Sequence, residues 1–221
     1  MTERRKEILG VCCGTVAACE LACVVFFGEQ FAMRKWVYFT VLSNVAALLA
    51  CVAVCVSCAT KSLKKEHCRL LVWATCMTTF TLAVVLLGGA STEQGYQNLL
   101  LEGSSLFVHT LCPIAMICIV VALVPRQELW RSIADSVCTT LCYGVVMYAL
   151  NGRGIIVGPY YFFEVLNLTT GKLFAFALLL VALSVGTTTA LHLLHGEREN
   201  SVGYGGKAAR ERQRLWKENK H

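Results

Sequence analysis

Thr40, Ser43 and Asn44 fall inside one uncharged run, 36–59, and recur with Ala47, Cys51, Cys55 and Cys58 at steps of three and four residues. On a helix that spacing makes a single stripe of small and polar side chains. His109 lies in a second uncharged run, 104–124. A threonine hydroxyl is a weak nucleophile until a base takes its proton, and a histidine titrates in the range that suits the task. Thr40 and His109 together could therefore run covalent acyl transfer, with Asn44 one turn below Thr40 as an oxyanion donor or a His-orienting group. The same residues also fit a simpler arrangement. A Thr–His hydrogen bond would satisfy two polar groups between packed helices.

The elements that would position them are membrane helices. The chain has 221 residues, 56% hydrophobic and only 15% charged, with a mean hydropathy of +0.60. A soluble domain of this size carries nearer a quarter of charged residues. About 20 apolar residues cross a bilayer, and six stretches reach that length: 8–28, 36–59, 68–90, 104–124, 129–150 and 172–195. The expected fold is all-α, an integral bundle of six transmembrane helices over residues 1–195, followed by a basic tail, 196–221. The first stretch follows Arg4, Arg5 and Lys6 as a signal peptide would, but it runs on to spanning length and reads as a helix.

Orientation follows from lysine and arginine. With the N-terminus inside, sixteen of the twenty lie on inner segments and only Arg34, Lys35, Arg153 and Lys172 on outer ones. Both termini are thus expected in the cytoplasm of a multi-pass cell-membrane protein. The second and fourth helices then enter from outside. Thr40 lies roughly 6 Å down its helix and His109 roughly 8 Å down its own, at 1.5 Å per residue. Equal depth permits contact. Pro113, four residues after His109, removes a helical donor and predicts a kink beside the imidazole. Ser105 and Cys112 are expected on the face of His109.

Other ionisable residues within the spans are Glu20, Asp135 and His192, each a functional candidate by cost alone. His192 and His195 fall in the last turn of the sixth span, where a histidine equally suits a helix C-terminus. The basic residues border spans, so nucleic acid is not an expected partner; membrane lipids are. The 13 cysteines sit mostly inside spans and read as small apolar packers. Cys55 and Cys58 have redox spacing without a redox context. No cofactor is expected. No set of ligands shares a depth, which argues against a metal, and His109 and His192 lie near opposite surfaces, which argues against a shared haem.

Three motifs carry a resemblance. Tyr38-Phe39-Thr40-Val41-Leu42-Ser43-Asn44 is similar to the nucleophile segment of the androgen-induced-gene membrane proteins, a family that includes the androgen-dependent TFPI-regulating protein and many bacterial relatives. Phe107-Val108-His109-Thr110 with Pro113 resembles the family's histidine helix. Pro159-Tyr160-Tyr161-Phe162-Phe163-Glu164 resembles its aromatic-acidic loop. The likeness spans about residues 8 to 195 and agrees in order, spacing and helix number. It implies an intramembrane threonine hydrolase of lipid esters, such as fatty acid esters of hydroxy fatty acids. Thr40 would be the nucleophile and His109 the base, with Tyr160 and Glu164 supporting. Acyl transfer on the same fold stays open, as does a non-catalytic lipid-binding or carrier role. The chain departs from the family in its cysteine content and in Tyr161-Phe162.

Overall fold

The computed structural model describes residues 1–26, 38–88, 97, 100–156 and 169–218, the side chains of 24–26, 104 and 197–218 excepted. Among these residues the chain is helical, without a strand. Six rods follow one another: α1 (Glu3–Phe26), α2 (Phe39–Ala59), α3 (Lys65–Gly88), α4 over residues 103–123, α5 (Leu129–Gly152) and α6 (Thr170–Glu218). The expected number of helices is therefore present. Four of them (α2, α3, α5 and the part of α6 from Thr170 to Gly196) are long and apolar enough to cross a membrane. α4 is interrupted. It passes from α-helix (Gly103–Leu106) through a π turn (Phe107–Leu111) back to α-helix (Cys112–Leu123). α6 runs on through Gly196, so the basic tail begins as a continuation of the last helix rather than as a separate segment.

α3 is the central rod, lying against α2, α4, α5 and α6. Half of its most apolar stretch is buried, against 11% for α6. The tight side of the bundle is α1, α2, α3 and α4, whose side chains make up nearly all of the core. α5 and α6 pack on α3 from the other side and turn Val145, Tyr148, Phe174 and Leu178 outward. Faces that apolar on long helices suit contact with hydrocarbon.

Small residues let α1 and α2 approach. A Cβ on Gly10 would sit 2.9 Å from Cys58 Cβ, and one on Gly14 3.2 Å from Cys55 Sγ. Gly10 and Gly14 are four apart, the spacing that lets membrane helices pack backbone to backbone. This pair went unread in the sequence, where Cys55 and Cys58 drew attention instead. All 13 cysteines are free, and Cys55 and Cys58 serve as the surface that the glycines meet.

At the end of the bundle carrying the N-terminus, polar groups tie helices together. Arg69 on α3 holds Asp135 on α5 through bonds of 2.6 to 2.9 Å. Trp73 donates to Thr139 at 3.0 Å, and Ser136 meets Ser184 of α6 at 2.8 Å. The last carbonyls of α4 are covered from two directions. Arg5 of α1 donates to Leu123 and Ala122, and the His195 ring of α6 meets the Val124 carbonyl at 2.9 Å. His195 is thus a helix C-terminal partner, one of the two roles its position allowed.

The α1–α2 contact gives a direct test. Gly10→Ala places a Cβ against another Cβ, which no rotamer change relieves, and should destabilise the bundle by about 1–3 kcal/mol. Gly14→Ala meets only a thiol, so its smaller loss should be recovered by adding Cys55→Ala. Thermal melts of the two variants and the double variant in detergent check the order. Equal losses, or no recovery, would mean that the helices are not this close.

Candidate functional site

The polar stripe of α2 faces inward. Thr40, Ser43, Asn44, Ala47 and Cys51 are all buried. Beside Thr40, Phe39 packs edge-on against Phe80 of α3, with ring centroids 5.4 Å apart, and against Tyr143 of α5 at 5.0 Å. Aromatic pairs at this geometry hold the first turn of α2 in place. Ser43 Oγ lies 2.9 Å from the Thr40 carbonyl and 3.1 Å from Thr81 Oγ1 of α3, and Thr81 donates on to the Met77 carbonyl. The turn that carries Thr40 is therefore bonded to α3 by a hydroxyl pair as well as packed on it.

Asn44 makes the link to the histidine helix. Its Nδ2 donates to the Thr40 carbonyl at 2.8 Å and to the Val108 carbonyl of α4 at 3.2 Å. The second bond has a sequence cause. In the π turn the Cys112 N–H reaches back five residues to the Phe107 carbonyl. Carried one residue on, that register would pair Val108 with residue 113, which is a proline and has no N–H. The expected kink is a π turn, and the carbonyl that finds a substitute donor is that of Val108, the neighbour of His109. Seven residues further along α2, the Cys51 thiol lies 3.5 Å from Met116 Sδ. α4 uses eight residues between the same two contacts, one more than α2, as a π turn requires.

α2 and α4 thus run parallel, with the Asn44 bridge joining the Thr40 turn to Val108, the neighbour of His109 in the chain. His109 and Ser105 are half-buried, and Cys112 is buried. Thr110 fastens the chain just before α4 by donating to the Leu100 carbonyl at 2.9 Å. Tyr160 and Glu164 lie outside the described residues. Asp135 belongs to the ion pair at the opposite end of the bundle. A shallow cleft near it, between Lys65, Arg69, Glu128 and Arg131, is likewise remote from Thr40. Among the described residues no three His, Cys, Asp or Glu side chains are grouped to hold a metal ion.

Glu20, a candidate by its cost, lies on α1 outside the expected Thr40–His109 pair. It is 2% exposed and faces α4, where the Cys112 thiol lies beside its carboxyl. The available sign was its cost inside an apolar span.

No family model, curated protein or solved structure matches this chain.

The bridge is testable apart from any activity. Asn44→Leu leaves buried carbonyls without their donor and should cost about 1–3 kcal/mol. Pro113→Ala restores a backbone N–H that competes for Val108, and amide exchange at residue 113 should then show a protected hydrogen. A Pro113→Ala variant whose new amide exchanges freely would rule out the proposed register.

Proposed function

We propose that the chain is an intramembrane lipid ester hydrolase in which Thr40 is the nucleophile and His109 the base. The observation that carries this reading is the Asn44 bridge. In a chain this apolar, one buried amide ties the Thr40 turn to the residue next to His109. The resemblance of the three motifs to the androgen-induced-gene proteins supports the same assignment and supplies the substrate class, fatty acyl esters such as fatty acid esters of hydroxy fatty acids.

The chemistry follows from the residue types. The imidazole of His109 takes the Thr40 proton as Oγ1 attacks the acyl carbonyl, then gives that proton to the departing alcohol oxygen. An acyl-Thr40 ester remains. Water, deprotonated by the same imidazole, attacks it and releases the fatty acid, and the proton returns to Thr40. An alcohol in place of water makes the reaction a transfer. Ser43, Asn44 and Ser105 supply polar neighbours, and Tyr160 and Glu164 are assigned to the substrate from the resemblance.

The lysine and arginine distribution orients the chain with both termini in the cytoplasm, which opens the Thr40 end to the outer leaflet of the cell membrane. Lipid substrates reach such a site laterally, without leaving the bilayer.

Labelling in membranes with a lipophilic fluorophosphonate tests the assignment. The wild type should be labelled. Thr40→Ala should abolish labelling, and Thr40→Ser should keep it. His109→Ala should slow it by about a hundredfold or more, the usual worth of a general base. Labelling that survives Thr40→Ala would move the nucleophile elsewhere, and an unlabelled wild type would favour the non-catalytic lipid-binding role.

A further inference from the structure

Two buried oxygens near the site have no donor: Glu20 Oε1 on α1 and Asn44 Oδ1 on α2. The orientation of the Asn44 amide is fixed chemically. Both partners of its other terminal atom are carbonyl oxygens, so that atom is the nitrogen and Oδ1 is the acceptor left over. Glu20 and Asn44 are each 2% exposed.

Their relative depth follows from the contacts around them. Asn44 is level with Val108 and Glu20 with Cys112, one turn along α4. The α1–α2 contact at Gly14 and Cys55 gives the same order: Glu20 is six residues above one, Asn44 eleven residues above the other. The offset is roughly 6 Å by the first route and roughly 7.5 Å by the second, at 1.5 Å per residue. One water with two hydrogen bonds of about 2.8 Å spans up to about 5.6 Å, so the carboxyl and the amide must each reach toward the other to share it.

Two acceptors cannot satisfy each other, so the hydrogens between them come either from the water alone or from a protonated Glu20 through the water. The groups facing Glu20 are thiols: Cys23 on its own helix, Cys112 on α4 and, next to Cys112, Cys51 on α2. A carboxylate among thiols in an apolar span is costly, whereas a neutral carboxyl has an O–H to give.

We propose that Glu20 carries its proton and, through one buried water, donates to Asn44 Oδ1, so that it acts as a positioning residue for the Thr40–His109 site. It would fix the rotamer of the amide that joins the Thr40 turn to Val108. The catalytic part of this inference rests on the hydrolase reading; the Glu20–Asn44 link does not.

The test uses the full chain in lipid nanodiscs. Glu20→Ala should slow fluorophosphonate labelling about tenfold, the worth of one buried hydrogen bond. Glu20→Gln, which keeps a donor without a titrating proton, should stay within about threefold of wild type with an unchanged pH profile. Infrared spectra supply the second arm. Wild type should show a protonated-carboxyl C=O stretch at neutral pH that Glu20→Gln abolishes and Asn44→Leu shifts. Glu20→Gln as slow as Glu20→Ala would make the carboxyl a charge rather than a donor and overturn the proposal. So would Glu20→Ala labelled at the wild-type rate. A missing carboxyl band, or one indifferent to Asn44→Leu, overturns the link itself. If the wild type is not labelled, or Thr40→Ala still is, the hydrolase reading fails alone and the infrared arm still decides the link.

Discussion

A proline without an N–H sets the geometry from which the rest of the candidate site follows. Pro113 leaves α4 one donor short at the point where its register lengthens from four residues to five. Within an apolar bundle an unpaired carbonyl is expensive. Asn44 supplies the missing hydrogen from a neighbouring helix, and with the same nitrogen it holds the carbonyl of Thr40. A backbone deficit on one helix thereby fixes the position of a hydroxyl-bearing turn on another. The bond also explains why the stripe on α2 contains an amide at this level and only small residues below it. Asn44 must reach across, whereas Ala47 and Cys51 need only let α4 come close.

The remaining contacts make that bridge stiff. Phe39 wedges the first turn of α2 between α3 and α5, and the Ser43–Thr81 pair fastens the next turn to α3. On the far side, Gly10 and Gly14 let α1 press against Cys58 and Cys55. Packing of this sort gains most from close approach, because lipid tails are as apolar as the side chains they would replace. The cysteines belong to the same economy of volume. They are larger than alanine, smaller than leucine, and free throughout.

The polar groups differ in how far they are paired. Arg69 and Asp135 join as cation and anion, and near them lie a tryptophan on a threonine, two serines on each other, and a C-terminus covered by Arg5 and His195, although both ring nitrogens of the buried His192 are left over. Around Glu20 and Asn44 oxygens are left over. Satisfied polar groups between helices hold a structure together; buried acceptors with no donor make room for a proton or a water. This contrast separates Asp135, a candidate by sequence, from Glu20, which was equally a candidate and differs only in what surrounds it.

The sequence by itself determined the all-helical architecture, the six rods and the inward stripe on α2, because length and three- and four-residue periodicity act within one segment. Pro113 likewise announced a break beside His109. Its form was not legible: whether the missing donor yields a bend or a π turn depends on a partner 64 residues away in the chain. Only the tertiary structure paired Asp135 with Arg69, set Gly10 and Gly14 against cysteines, gave His195 to the Val124 carbonyl and brought Glu20 alongside Cys112. Each of these is a choice of neighbour. Periodicity shows which face of a helix is polar, but which helix that face meets is decided by how all six pack at once.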